Sequence, residues 1–132
     1  VIHQHTLREP LEFEGVGLHT GADVAVRIVP QPANAGLRFS LEGGEPFAAT
    51  AEAVVETRRA TVLGDGRRTV STVEHVLSAL FAMGVDNARL DVRGPEIPVL
   101  DGSAAPFADA IARVGLEEQA AARECFTIDG PA

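Results

Sequence analysis

Cysteine is nearly missing from the 132-residue sequence, where Cys125 stands alone. One thiol cannot close an internal disulfide, which suits a reducing cytosol and excludes a cysteine-rich zinc site built within the chain. Cations are scarce too: 11 Lys and Arg stand against 19 Asp and Glu, for a net charge of −8. Binding to nucleic acid or to a strongly anionic membrane surface rests on clustered Lys and Arg, so neither is an expected partner. Long apolar runs are absent. The longest, residues 76–85, is interrupted by Ser78 and Gly84 and falls far short of the roughly 20 residues of a membrane-spanning helix. No charged n-region followed by an apolar h-region opens the chain, and no low-complexity tract interrupts it. A cytoplasmic protein without a transmembrane segment is the expectation.

What remains has a globular balance, 45% hydrophobic and 23% charged, in a chain of single-domain length that can bury a core without staples. The sequence begins on Val1 and ends in "ECFTIDGPA", which reads as an apolar strand cut short, with Cys125 expected as a buried strand residue. A continuation beyond Ala132 is therefore expected.

Period-two alternation dominates the first seventy residues. Leu11 and Phe13 share one face; Val24, Val26 and Ile28 share another until Pro30 stops the run. "LRFSL" reads as a short strand, "FAATAEAVVE" as another, and "ATVLGDGRRTV" as a hairpin folded at Gly64-Asp65-Gly66. Residues 71–84, "STVEHVLSALFAMG", carry helix signals at both ends. Ser71 is placed as an N-cap with Glu74 three residues on, as in a capping box, and Gly84 supplies the stop. "NARLDVRG" follows as a strand with Leu90 and Val92 inward, and "GPEIPVLDGSAAPF" as a proline-punctuated loop. Ser103 then reads as the N-cap of a second helix, with Phe107, Ile111 and Val114 at helical spacing and Pro106 in the first turn. The sum is an α+β sandwich with one sheet layer and one helical layer.

The first helix holds an adjacent carboxylate and imidazole, Glu74 and His75. At about 100° per residue, Val73, Val76, Leu77 and Leu80 gather toward the sheet, while His75 falls opposite, beside Ala79 and Ala82. A solvent-facing side would ordinarily carry Lys and Glu. This one is small and neutral, so another backbone or a ligand can approach it. Two readings stand. Either the face is an ordinary exposed alanine-rich surface and Glu74 merely caps, or the pair serves a hydrolytic metal site. In the second reading the imidazole ligates zinc and the carboxylate takes a proton from water. A catalytic zinc wants three protein ligands, yet Ala79 stands where an HExxH motif would have its second histidine. His3, His5 and His19 have no helical ligand spacing to His75. Any such site is incomplete in this chain.

Four motifs occur in order: "GVGLHTG" (15–21), "STVEH" (71–75), "GVDNARLDV" (84–92) and "PEIPVLDGSAAPF" (95–107). In them the chain resembles the N-terminal domain of the UDP-3-O-acyl-N-acetylglucosamine deacetylases, zinc amidases of lipid A biosynthesis in Gram-negative bacteria. The resemblance covers essentially the whole sequence. It implies the first of two similar α+β domains, each a two-layer sandwich of a mixed, mainly antiparallel sheet with two helices on one face. The helix layers of the two domains face each other across the active site. Residues 1–123 would form this domain, and 124–132 the start of a linker or of the first strand of the second.

By motif, Glu74 matches the family's general base and His75 its first ligand to a single Zn²⁺ ion. A second histidine ligand, an aspartate ligand and a general-acid histidine belong to the second domain of the same polypeptide. His19 lies in the loop that approaches the active site; read from its residues alone, that loop is a turn with glycines for backbone geometry. The segment 58–61 lines the site near the acyl-chain passage, which makes Arg58, Ala60 and Thr61 candidate substrate contacts, in a stretch where relatives vary. Asp101-Gly102-Ser103 reads as turn and cap, with a supporting role beside the site open to Asp101. The alternative function is a stand-alone, non-catalytic relative that binds a partner through the 71–84 helix face.

Overall fold

The computed structural model describes residues 2–57 and 61–123. The main sheet is five-stranded, built from β2 (Leu11–Val16), β3 (Asp23–Pro30), β4 (Leu37–Leu41), β5 (Phe47–Ala48) and β9 (Ala88–Arg93) in the order β2-β3-β9-β4-β5. Only the β4–β9 pairing is parallel; the other three are antiparallel. This is the mixed, mainly antiparallel sheet of the expected α+β class. The alternation read in the sequence explains which strands centre it. Val24, Val26 and Ile28 of β3 and Ala88, Leu90 and Val92 of β9 are all buried on one face. The other face carries charge: Arg27 meets Glu12 at 2.8 Å from the strand position directly opposite, and Arg89 meets Asp91 at 2.7 Å.

The apolar face packs against two helices, α1 (Glu74–Ala82) and α2 (Ala105–Val114). Phe107 of α2 is buried and meets Phe13 of β2 edge-on, ring centroids 4.8 Å apart, a favourable geometry for the aromatic quadrupoles. The stop of α1 is as expected. Gly84 takes φ +81°, its N–H reaches Phe81 O, and Val85 N–H reaches Leu80 O at 2.9 Å. That is a Schellman closure, with Val85 and Leu80 both buried beneath it.

The start of α1 differs from expectation, and that of α2 differs by one position. Ser71 ends strand β8 (Thr69–Ser71), and its N–H donates to Pro95 O. Helix α1 begins three residues later at Glu74, with Val73 at the cap position and no side-chain cap, so neither Ser71 nor Glu74 forms a capping box. Helix α2 has Ala104 at its cap position, with no side-chain bond from that residue; Ser103, one position earlier than the cap, accepts from the first helical N–H, that of Ala105, through Oγ at 3.2 Å. Before α1 the backbone turn is tied to the 95–97 segment instead.

Strand β8 pairs with β7 (Val62–Gly64) in the expected hairpin, closed by the Asp65 carboxylate accepting from Arg67 and Arg68 N–H, both at 2.8 Å. β6 (Val54–Glu56) completes a small three-stranded sheet. The run expected as one strand from Phe47 is broken instead by a 3-10 turn over Ala51–Ala53. A two-stranded ribbon of β1 (His3–Leu7) and β10 (Leu116–Ala122) closes the domain. The buried Asn87 pins it: its side chain donates to Gln4 and Gln119 and accepts from Gly36 N–H. Residues 124–132, including Cys125, lie outside the described residues.

Candidate active site

The first turn of α1 presents Glu74 and His75, both half-buried. Free of capping duty, the Glu74 carboxylate accepts from Thr61 N–H through Oε2 at 3.3 Å. Its other oxygen accepts no hydrogen bond among the described residues. Thr61 thus stands beside the carboxylate, while Arg58 and Ala60 lie outside the described residues. The His75 ring makes no hydrogen bond within the described residues. The Asp101 carboxyl lies below its ordinary value because the Ser103 hydroxyl and N–H donate to it, with a smaller share from the charge of His75.

The open side of α1 differs from the projected one. Ala79, expected beside His75 on the open face, is 1% exposed: the helix buries Val76, Ala79 and Leu80, a side centred one residue position away from the expected one. This rotation brings Glu74, Ser78 and Phe81 onto one outward stripe at i, i+4, i+7 spacing, with Ala82 beside it. Phe81 is 85% exposed. The projection that gathers Val73, Val76, Leu77 and Leu80 toward the sheet does not single out Phe81, because it leaves Ala79 on the open side. Phe81, at the C-terminal end of the stripe, adds an exposed aromatic to a face that otherwise carries Glu74, Ser78 and Ala82.

The loop carrying His19 reaches the start of α1 through one residue, Glu96. Glu96 is fully buried and accepts four hydrogen bonds: His19 N–H and Thr72 Oγ1–H on Oε1 at 3.1 and 3.2 Å, and Thr20 N–H and Thr20 Oγ1–H on Oε2 at 2.7 and 2.6 Å. The His19 side chain itself is exposed. Gly17 lies so close to the Glu96 carboxylate that a Cβ there would overlap it. Sequence reasoning passed over Glu96 as loop. Its one local signal is a carboxylate set between prolines in an apolar stretch, "PEIP".

Burial by itself would raise the Glu96 pKa, but the hydrogen bonds from Thr20, His19 and Thr72 outweigh it and hold the group below its ordinary 4.5. A carboxyl depressed on folding stabilises the fold above its unfolded pKa, and that contribution fades as pH falls toward the folded value. The gap in Tm between the wild-type protein and Glu96→Gln is thus expected to be full above about pH 5.5 and to shrink below about pH 4.5. Thermal unfolding across that range checks it; a gap independent of pH would contradict it.

As a donor set, a half-buried imidazole with no competing hydrogen bond suits zinc. Among the described residues no group of three or more His, Cys, Asp or Glu side chains could hold a metal ion. His75 can therefore offer one coordination position, outside any such group among the described residues. His3 and His5 are not brought near it: they sit on the β1 ribbon, where His3 meets Glu118 at 3.1 Å. No helix among the described residues is long and apolar enough to cross a membrane.

Residues 4–132 match the family model described as LpxC, UDP-3-O-acyl N-acetylglycosamine deacetylase. Over 134 residues the chain is 44% identical to the UDP-3-O-acyl-N-acetylglucosamine deacetylase of Acidithiobacillus ferrooxidans, covering 99% of this chain and 44% of that protein. The protein of the same name from a Nostoc species is 46% identical, over 96% of this chain and 46% of its own length. A bifunctional LpxC/FabZ enzyme from Bacteroides thetaiotaomicron is 45% identical, over 97% of this chain and 28% of its length. The chain thus spans less than half the length of these curated relatives.

Proposed function

Because this chain belongs to the UDP-3-O-acyl N-acetylglycosamine deacetylase family, we propose that it forms the N-terminal half of a zinc-dependent amidase. The amidase removes the acetyl group from UDP-3-O-acyl-N-acetylglucosamine in the cytoplasm of a Gram-negative cell, in lipid A biosynthesis. The observation that carries this reading is the Glu74–His75 pair on the open turn of α1, with neither side chain used to build the helix. A second half of the same polypeptide supplies a histidine ligand, an aspartate ligand and a general-acid histidine. The same second half covers the outward stripe of α1, and the side chain of Phe81 on that stripe, 85% exposed, supports that.

In the reaction, Glu74 takes the proton from the water that attacks the acetamide carbonyl carbon. The Thr61 N–H on one carboxylate oxygen fixes the carboxylate's direction and leaves the other oxygen for that proton. His75 would hold the zinc ion through its neutral imidazole. When bound, zinc supplies Lewis-acid polarisation of the carbonyl and makes water more acidic. Acetate and the free 2-amino sugar nucleotide are the products. His19, Arg58, Ala60 and Thr61 serve as substrate contacts.

The competing reading, a non-catalytic relative that binds a partner through the 71–84 helix face, explained the presence of Glu74 by a helix-capping role. With α1 uncapped by Glu74, that support is lost. The test compares the 132-residue chain with the full-length polypeptide on the UDP-3-O-acyl-N-acetylglucosamine substrate. The chain alone should bind zinc weakly and turn nothing over, while the full-length protein releases acetate. Robust turnover by the chain alone would overturn the division of the site.

A further inference from the structure

We propose that Glu96 is a positioning residue for the deacetylase site, clamping the His19 loop and the start of α1 to one buried carboxylate. This rests on the reading of Glu74 and His75 above and adds what holds them in place. Thr72, two residues before Glu74, has φ +60°. A β-branched residue rarely adopts that region, so the backbone there is strained. The Thr72 hydroxyl is buried and donates to Glu96 Oε1, which favours the strained conformer. That turn sets the direction in which α1 departs from β8, and so where Glu74 and His75 point.

The neighbouring backbone locks Glu96 in turn. Ser71 N–H donates to Pro95 O and Ile97 N–H to Ser71 O, while Val99 N–H reaches Val16 O at the base of the His19 loop. The segment 95–99 is therefore laced to the α1 side and to the loop side at once. The Glu96 side chain joins the two across the gap.

Its chemistry admits no neutral substitute. Each carboxylate oxygen accepts one backbone N–H, from His19 on Oε1 and from Thr20 on Oε2. Hydroxyls can turn to accept from an amide, but a backbone N–H cannot. A glutamine must aim its NH₂ at one of the two N–H groups, and that buried donor is left unpaired. Gly17 is needed for the same reason, because its missing Cβ makes room for the carboxylate.

The two ends of the clamp should separate in kinetics. In the full-length deacetylase, Glu96→Gln should keep its zinc content and lose about tenfold or more in kcat/KM, with a rise in KM from the released loop. Thr72→Val removes only the hydroxyl on the α1 side; it should lower kcat while KM stays within about twofold, and Thr72→Ser should recover most of that loss. A purely structural role would lower Tm without this split or this rescue. Glu96→Gln with wild-type kcat and KM, or Thr72→Val and Thr72→Ser losing equally, overturns the proposal. If Glu96→Gln does not fold, the Thr72 pair decides. Glu74→Gln runs alongside: wild-type rates there would mean that the reading of the site has failed, rather than the clamp.

Discussion

Glu74→Gln in the full-length protein should lower kcat by about a hundred- to ten-thousandfold, the usual share of a general base, with zinc content and Tm close to wild type. The separation follows from the geometry around the carboxylate. Glutamine retains a carbonyl oxygen that can accept from Thr61 N–H, the one hydrogen bond the carboxylate makes among the described residues. Its helix propensity is close to that of glutamate, and no cap is lost, because α1 begins at Glu74 with Val73 at the cap position and no side-chain cap. What disappears is the basic oxygen that the proposed proton transfer requires. Steady-state kinetics with metal analysis and thermal unfolding check this together. A fall in Tm with kcat intact would return Glu74 to a structural part.

His75→Ala carries the second large effect. The variant should fold, since His75 is half-buried, its ring makes no hydrogen bond among the described residues, and alanine is the strongest helix former. It should nonetheless lose roughly a thousandfold or more in kcat/KM, because polarisation worth several kcal/mol goes with the ligand. Unlike Glu74→Gln, the loss should come with departure of the metal. The two variants together assign proton transfer to one side chain and ligation to its neighbour.

The sequence makes the class of the fold plain because the sheet's central strands and α2 obey local rules. β3 and β9 alternate cleanly, and Phe107 and Ile111 recur at helical spacing over a buried face. Where local rules failed, a contact distant in sequence had prevailed. The Ser71–Glu74 spacing imitates a capping box, yet Pro95 and Glu96 engage Ser71 and Thr72 from more than twenty positions away. β10 reads Leu-Glu-Glu-Gln-Ala-Ala-Ala, a helix-favouring composition that pairing with β1 turns into a strand.

The site was legible to the same degree. Glu74 and His75 are recognisable as an adjacent pair, and motif places them in a family. Phe81 required knowing which side α1 buries, and that is decided by packing rather than by hydrophobicity alone. Glu96 was illegible because its meaning lies in four donors supplied by His19, Thr20 and Thr72, two segments that meet only in the fold.

The central claim is that the imidazole of residue 75 is one of several anchors of a metal ion shared between the two halves of the polypeptide. Counting zinc in the full-length protein after exhaustive dialysis, for wild type and His75→Ala side by side, tests it most directly. Wild type should retain about one ion per chain, the stoichiometry of a mononuclear catalytic site, and the variant almost none at unchanged secondary structure. A variant that keeps its full complement of zinc contradicts the account.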